Sequence, residues 1–370
     1  MNIKKPYEAI DILGSKGSLA DVSENFPQYL VLLVLLLISF SEFHTISLIQ
    51  AGNLDSQAWQ ASGVVHGTPW IRVFQSRILG PYFVQAIATV IKHSYLAAYK
   101  IALFILLGLS TCICYDLVRR IRNRPYDGLI WAAVYAGLVI ALQDNLTFYI
   151  WDVIDLSTML IFAYAIFYAP SSLRLLIPLF FVELLNRESA GYVALWIALS
   201  AAGTWYCETP TLSERKALLL QMVVGIGLLT FGTCWTHVLR ALLFKHSNDP
   251  KIGLDFAHLN GEMFVLFRNL HNFIQPSNKS GFAIAIVCCC VIIFMARRLF
   301  ALHGKKSYPL LSLLVVMMAS VWCFGLVAMT RMWLEFIPFV LMFAISETNR
   351  YKIVFVGQIE RSDEPALSGP

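Results

Sequence analysis

The fold of this 370-residue chain is decided by residues 29–59, "YLVLLVLLLISFSEFHTISLIQAGNLDSQAW". The apolar run that begins at Tyr29 and ends at Gln50 is long enough to cross a bilayer as a helix, which takes roughly 17–25 residues. A carboxylate, Asp55, follows within a few residues, and an aromatic side chain, Trp59, comes after it. The stretch therefore predicts a membrane helix that ends close to an acidic residue at the membrane surface.

Composition places the whole chain in the same class. It is 58% apolar and 14% charged, and its mean hydropathy is +0.66, whereas a soluble domain is typically about 45–50% apolar and about 25% charged. The net charge of +5 comes from short basic clusters between apolar runs, which is a topology signal and not a nucleic-acid signal. The eight cysteines show no metal or disulfide pattern, and we predict that they pack as small hydrophobic residues. The first apolar run has no cleavage site after it and is interpreted as a retained span.

Further apolar runs predict about ten membrane-spanning helices. These spans lie near 28–50, 97–118, 127–143, 153–169, 172–185, 189–206, 216–241, 281–299, 308–329 and 333–348. The run at 79–93 is interpreted as a helix on the outer surface, in the first extracytoplasmic loop. Residues 172–206 form either two spans or a re-entrant pair. The predicted fold is therefore an all-α, polytopic helical bundle in one domain over 1–350, with a short flexible cytoplasmic tail at 351–370.

The positive-inside rule sets the orientation of these spans. With 79–93 on the surface, the densest basic clusters fall inside, among them "RRIRNR" at 119–124. The acidic and mixed-charge segments then fall outside, several of them at the ends of spans. A charged side chain within a span costs about 2.5–3.5 kcal/mol on insertion scales, so such residues usually face one another or a wet cavity. The pattern predicts that Asp55, Asp155, Arg187 and Arg331 converge on a shared outer-face cavity, with independent snorkelling side chains as the alternative.

Five segments carry a family resemblance, in chain order: the loop around Asp55, "QSRILGP" with Arg77, "WDVID" with Asp152 and Asp155, "NRES", and "TRMWLEF". Together they resemble the GT-C superfamily of integral-membrane glycosyltransferases, in a compact bacterial form without a soluble C-terminal domain. In that superfamily a long first extracytoplasmic loop carries an acidic residue near the membrane and packs surface helices before the second span. The usual pair of acids is missing here, because Ser56 follows Asp55.

The resemblance implies an inverting transferase that moves a sugar from a polyprenyl-phosphate donor to a glycan, lipid or other acceptor. It would act at the periplasmic face of a bacterial inner membrane, without a required cofactor. Asp55 would be the general base, since a carboxylate can take the proton of an attacking hydroxyl. Arginines would meet the lipid phosphate, which a guanidinium binds through two oxygens. The substrate-binding candidates are Arg77, Asp152, Asp155, Asn186, Arg187, Glu188, Arg331 and Glu335.

Several roles stay open at this level. Asp55 is either a base or an N-cap of the next helix, and Arg187 either binds phosphate or pairs with Glu188. Asp144, Asp152 and Asp155 offer oxygens to a divalent cation, although no metal site is indicated. The alternative functions are a polymerase or ligase acting on lipid-linked glycans and a non-enzymatic transporter or flippase. Nucleic acid is not an expected partner.

Overall fold

The structure, a computed structural model, describes residues 27–69, 77–143, 148–169, 172–243, 269, 279–324 and 330–349, which are almost entirely helical. Within these residues there are twelve α-helices: α1 Gln28–Ile49, α2 Leu54–Val65, α3 Leu79–Ile91, α4 Tyr95–Arg122, α5 Pro125–Ala141, α6 Ile150–Tyr168, α7 Leu173–Asn186, α8 Ala190–Cys207, α9 Leu212–Leu243, α10 Lys279–His303, α11 Tyr308–Phe324 and α12 Ile337–Asn349. Two 3-10 helices, Gly304–Ser307 and Thr330–Phe336, precede α11 and α12.

A helix occupies each of the ten predicted spans, and α3 occupies the predicted surface helix. In the part of the chain that the structure describes, five segments are long and apolar enough to cross a membrane: Gln28–Ile49, Tyr95–Arg122, Ile150–Tyr168, Leu212–Leu243 and Gly281–Cys323. The last of these contains both α10 and α11. The other predicted spans correspond to shorter helices; α7, for example, has 14 residues and contains Pro178. The all-helical class with membrane-compatible helices is thus confirmed, and the tail at 351–370 lies outside the described residues.

Helix α6 is the centre of the bundle. Sixteen of its 19 residues are buried, and it contacts α3, α4, α7, α12 and the 3-10 helix Thr330–Phe336. The flanking helices bury one face each; α1, for example, leaves Leu32, Leu33 and Leu36 exposed. Helix α6 is thus buried on all sides, whereas the flanking helices keep an apolar outer face. This combination is the pattern of a bundle surrounded by lipid.

The contacts between helix ends define two ends of the bundle. At one end, the backbone N–H of Ile150 at the start of α6 donates to the hydroxyl of Tyr99 near the start of α4. At the other end, Arg122 at the end of α4 donates to the backbone carbonyl of Ile345 near the end of α12. The basic segment 119–124 therefore lies at the end opposite the start of α6.

Helices α2 and α3 both lie at the end that contains the start of α6. The hydroxyl of Tyr149 donates to Gln60 of α2 at 2.9 Å, and the backbone N–H of Ile78 donates to the carbonyl of Leu185 at the end of α7 at 3.0 Å. Gly80 makes this approach of α3 feasible, because a Cβ at that position would lie 2.8 Å from Ile150 Cγ2. The two helices that join α1 to α4 thus cover one end of the bundle.

Candidate active site

Four separate segments of the chain bring charged side chains to the end covered by α2 and α3. The start of α6 contributes Asp152 and Asp155, and the turn between α7 and α8 contributes Arg187 and Glu188. The 3-10 helix before α12 contributes Glu335, and the residues before α3 contribute Arg77. We call these six residues the charged cluster.

Arg187 is the centre of the charged cluster. Its Nη1 atom lies 3.0 Å from Asp155 Oδ2, 3.0 Å from Glu335 Oε1 and 3.5 Å from Asp152 Oδ1. All three acidic residues are buried. Their helices come from distant parts of the sequence, so this one guanidinium joins α6, the α7–α8 turn and the 3-10 helix before α12.

The position of Arg187 follows from local structure. It is the residue that caps the C-terminus of α7, where its extended backbone donates from N–H to the carbonyl of Glu183. A cation is favoured there by the helix dipole. Asp152 is fixed in a similar way at the start of α6, where its Oδ2 atom accepts from the N–H of Tyr149 at 2.8 Å.

A layer of hydroxyl groups lies directly beneath the charged cluster. Ser189 Oγ lies 2.6 Å from Asp155 Oδ1 and 2.5 Å from Glu183 Oε1, while Thr158 donates to the other oxygen of Glu183. A serine hydroxyl has one hydrogen to donate, so a proton on Asp155 or Glu183 has to supply the second Ser189 contact. Glu183 is fully buried and extends the polar region below the six residues of the cluster.

Arg77 and Glu188 form the accessible edge of the charged cluster. Arg77 Nη2 lies 3.4 Å from Glu188 Oε2, and the guanidinium lies over the ring of Trp151, 5.5 Å from its centroid. The Glu188 side chain is 45% exposed, whereas that of Arg77 is 8% exposed. A ligand approaching from solvent would therefore meet Glu188 and the edge of Arg77 before it reached Arg187.

Negative charge dominates this region, which has five carboxyl groups and two guanidinium groups: Asp152, Asp155, Glu183, Glu188 and Glu335 against Arg77 and Arg187. Burial acts to lower the pKa of Arg187, but Glu335, Asp155 and Asp152 raise it well above its ordinary value, so Arg187 stays charged. Burial raises the pKa of Glu335 to about 7, although Arg187 opposes the shift.

The raised pKa of Glu335 predicts a pH-dependent stability. Native Glu335 holds its proton more tightly than an unfolded glutamate, whose ordinary pKa is 4.5. The contribution of Glu335 to the free energy of unfolding is therefore complete below about pH 4.5 and is lost as the pH rises through about 7. Glu335→Gln is neutral at every pH and should show a smaller fall in thermal midpoint over this range in detergent. Glu347→Gln is the control, since Glu347 pairs with the exposed Arg298. A slope unchanged by Glu335→Gln would contradict the assignment.

Asp55 lies at the same end of the bundle but outside the charged cluster. It is exposed in the first turn of α2, while Asn53 is the residue at the N-cap position. Among the described residues it has no hydrogen bond or ion pair with the cluster. Asp55 precedes Gln60, the residue that contacts Tyr149, by five positions, which is about 7.5 Å along a helix axis. The exposed carboxylate thus shares this end of the bundle with the charged cluster but makes no contact with it among the described residues.

The remaining sequence candidates divide into two groups. Asn186 is buried and its amide donates to the carbonyl of Trp151 at 3.0 Å, so it joins α7 to α6. Arg331 lies on the 3-10 helix Thr330–Phe336, but its side chain is outside the described part of the structure, as is Asp144. No group of three His, Cys, Asp or Glu side chains that would hold a metal ion is found among the described residues.

Sequence reasoning missed Glu183, Ser189 and Thr158. Glu183 carried a usable signal, because it is a lone carboxylate in the apolar run "LFFVELL" at 179–185 and is four residues before Arg187. Burying the charge of Glu183 is as costly as burying that of Asp155, so the same reasoning predicts that Glu183 faces polar partners. Ser189 and Thr158 carried no signal, since single hydroxyl residues are common in such helices.

Comparison of the chain with protein-family models, with curated proteins and with solved structures gives no match.

Proposed function

We propose that this protein is a membrane glycosyltransferase of the GT-C type, which transfers a sugar from a polyprenyl-phosphate donor to an acceptor hydroxyl. The observation that carries the proposal is the position of the charged cluster. It lies at the end of the bundle that α2 and α3 cover, and Asp55 is exposed at the same end. A water-accessible carboxylate at the same end of the bundle as two largely buried arginines suits a reaction between a water-soluble acceptor and a lipid phosphate.

The order of the first four helices supports the same proposal. Helix α1 is a candidate membrane span, α2 and α3 lie together at one end of the bundle, and α4 is again a candidate span. This is the arrangement that the resemblance to GT-C enzymes implies for the first extracytoplasmic loop. Asp55 follows the end of α1 by six residues, and the buried Gln57 holds α2 there by donating to Gln50 at 2.5 Å.

In the proposed reaction the acceptor oxygen attacks the anomeric carbon, the bond from that carbon to the phosphate oxygen breaks, and polyprenyl phosphate leaves. Asp55 takes the hydroxyl proton as the acceptor attacks. Arg77 is the better candidate for the phosphate, because it borders the accessible edge and its pairing with Glu188 is loose at 3.4 Å. Arg187 acts as a positioning residue, since three carboxylates already surround its Nη1 atom.

The proposal includes ten membrane spans, with the charged cluster on the extracytoplasmic side of a bacterial inner membrane. Its support is the separation of charge between the two ends of the bundle. Arg122 and Arg298 lie at the end opposite the cluster, where they contact residues near the end of α12. An excess of Lys and Arg marks the cytoplasmic side.

This orientation predicts opposite labelling of two engineered cysteines. In a background without the native cysteines, Cys at position 56 should react with an impermeant thiol reagent in intact cells. Cys at position 124 should react only after the membrane is opened. Ser56 and Arg124 are chosen because both are exposed, whereas the neighbouring Gln57 is buried and would label poorly. Labelling of both positions from one side would contradict the topology.

A panel of donors tests the function itself. Purified protein in nanodiscs is incubated with polyprenyl-phosphate sugars that differ in the sugar, and released polyprenyl phosphate is measured by chromatography. We expect release with one sugar class in the presence of an acceptor. Arg77→Met should lower the amount of polyprenyl phosphate released. Arg120→Met is the control and should leave that amount unchanged, because Arg120 lies near the C-terminus of α4, at the end of the bundle opposite the charged cluster. A folded protein that releases no lipid phosphate from any donor would contradict the proposal.

One observation favours a second candidate, a transporter or flippase. The Nη1 atom of Arg187 pairs with three buried carboxylates, and paired intramembrane charges also mark substrate and ion pathways. A transport assay distinguishes the two candidates, because a flippase moves a lipid-linked sugar across a liposome membrane and leaves its phosphate bond intact.

A polymerase or ligase is the remaining alternative. Such an enzyme would release a diphosphate or phosphate carrier from a lipid-linked glycan and not from a monosaccharide donor.

A further inference from the structure

Another buried carboxylate lies outside the charged cluster, on α1. Glu42 is 1% exposed and is seven residues from the end of α1, so it lies about 10 Å inside that end at 1.5 Å per residue. The hydrocarbon core of a bilayer is about 30 Å thick. Glu42 is therefore well within the apolar part of the bundle and takes no part in the proposed transfer.

Glu42 is oriented toward neighbouring helices and away from lipid. It shares the buried face of α1 with Ser39 and Ile46, and that face packs on α4. Thr111 of α4 donates to Glu42 Oε2 at 3.0 Å. The preceding residue of α4, Ser110, is hydrogen-bonded to the hydroxyl of Tyr135 on α5. The carboxyl group thus lies in a small polar region between three helices.

The surroundings of Glu42 supply hydrogen bonds but no positive charge. The titratable groups that face it are Cys114 of α4 and Tyr135 of α5, both neutral in their ordinary state. None of the ion pairs within the described residues includes Glu42, and its Oε1 atom is buried without a hydrogen-bond partner there. An ionised carboxylate in such a place would leave one charged oxygen wholly unsolvated, which is very costly.

We propose that Glu42 is a proton-binding site inside the bundle, where it is held as a neutral carboxylic acid between α1, α4 and α5. The proton binds at Oε1, the oxygen without a partner, while Thr111 keeps Oε2 in place. A proton fits better than a metal ion, because a metal needs several oxygen ligands and only one carboxylate is present. The proposal is independent of the glycosyltransferase function.

A lipid-soluble carbodiimide tests this state directly on the wild-type protein. A carboxylic acid gives its proton to a nitrogen of the reagent while its oxygen adds to the central carbon, and the O-acylisourea rearranges to a stable N-acylurea without a leaving group. At neutral pH, dicyclohexylcarbodiimide should modify the peptide that contains Glu42, as mapped by mass spectrometry. The exposed Glu188 is the internal control, since a carboxylate in contact with water should react poorly with this reagent.

Three further results are expected. Glu42→Gln, which keeps the shape of the neutral acid, should fold and lose the modified peptide. Thr111→Val should extend labelling to higher pH, because the lost hydroxyl hydrogen bond stabilised the carboxylate form. Thr204→Val, whose hydroxyl bonds to its own helix, should leave the pH profile unchanged.

Two results would overturn the proposal. One is a Glu42 peptide that stays unmodified at neutral pH while other buried carboxyl groups react. The other is protection of Glu42 by sodium ions at constant pH, which would show that the site holds a metal cation and not a proton.

Discussion

Arg187→Met is expected to cause the largest loss of stability of any single substitution in this protein. The change leaves Asp152, Asp155 and Glu335 buried without the guanidinium that joins them, whereas the methionine side chain roughly preserves the volume. Removing one partner of a buried ion pair typically costs about 3–5 kcal/mol. The measurement is the free energy of unfolding in mixed micelles, from a titration with a denaturing detergent.

Arg298→Met provides the matched control for this substitution. Arg298 pairs with Glu347 at 3.2 Å, but its side chain is 51% exposed, and exposed pairs are worth about 0–1 kcal/mol. Arg187→Lys should recover part of the lost stability, because it restores the charge but not the planar geometry. A loss in Arg187→Met no greater than that in Arg298→Met would show that Arg187 does not hold the three segments together.

Asp55→Asn is expected to cause the largest loss of activity. The amide keeps the shape of the side chain but cannot take a proton from the acceptor, and general-base assistance is worth about 10²–10⁴-fold in rate. Because Asp55 is exposed and lies in the first turn of α2, loss of its charge should cost only about 0.3–1 kcal/mol through the helix dipole. The variant should therefore fold, bind the donor and transfer sugar very slowly in a single-turnover assay.

Asp127→Asn is the control for Asp55→Asn. Asp127 is also in the first turn of a helix, α5, but it pairs with Arg122 at the opposite end of the bundle. Its substitution should leave the transfer rate unchanged. If Asp55→Asn keeps full activity, Asp55 only stabilises the start of α2, and a carboxylate at the accessible edge, Glu188, becomes the candidate base.

The helices could be predicted from the sequence because apolar run length is a local property. The run from Tyr29 to Gln50 and helix α1 agree to within one residue at each end. Boundaries were less certain where tertiary contacts decide them. The predicted span at 333–348 begins in the structure only at Ile337, because the preceding residues form the 3-10 helix that carries Glu335.

The charged cluster could be predicted only in part. Burial cost indicated that Asp155, Arg187 and Glu335 should face one another, and the distances from Arg187 place them together. Sequence could not reveal that one guanidinium would contact all three acidic residues, since that depends on how α6, α7 and α12 pack.

The expected convergence of Asp55 with these residues is not observed, because the buried face of α2 directs Asp55 outward. The side chain of Arg331 lies outside the described residues.

The most direct test of the proposed glycosyltransferase activity is an analysis of the products that the wild-type protein forms. Purified protein in nanodiscs is given a polyprenyl-phosphate sugar, labelled at the anomeric carbon, and a membrane-glycan acceptor. We expect equal amounts of glycosylated acceptor and free polyprenyl phosphate, an inverted anomeric configuration by NMR, and loss of both products in Asp55→Asn. Movement of intact donor across a liposome membrane without cleavage of its phosphate bond would contradict the proposed activity.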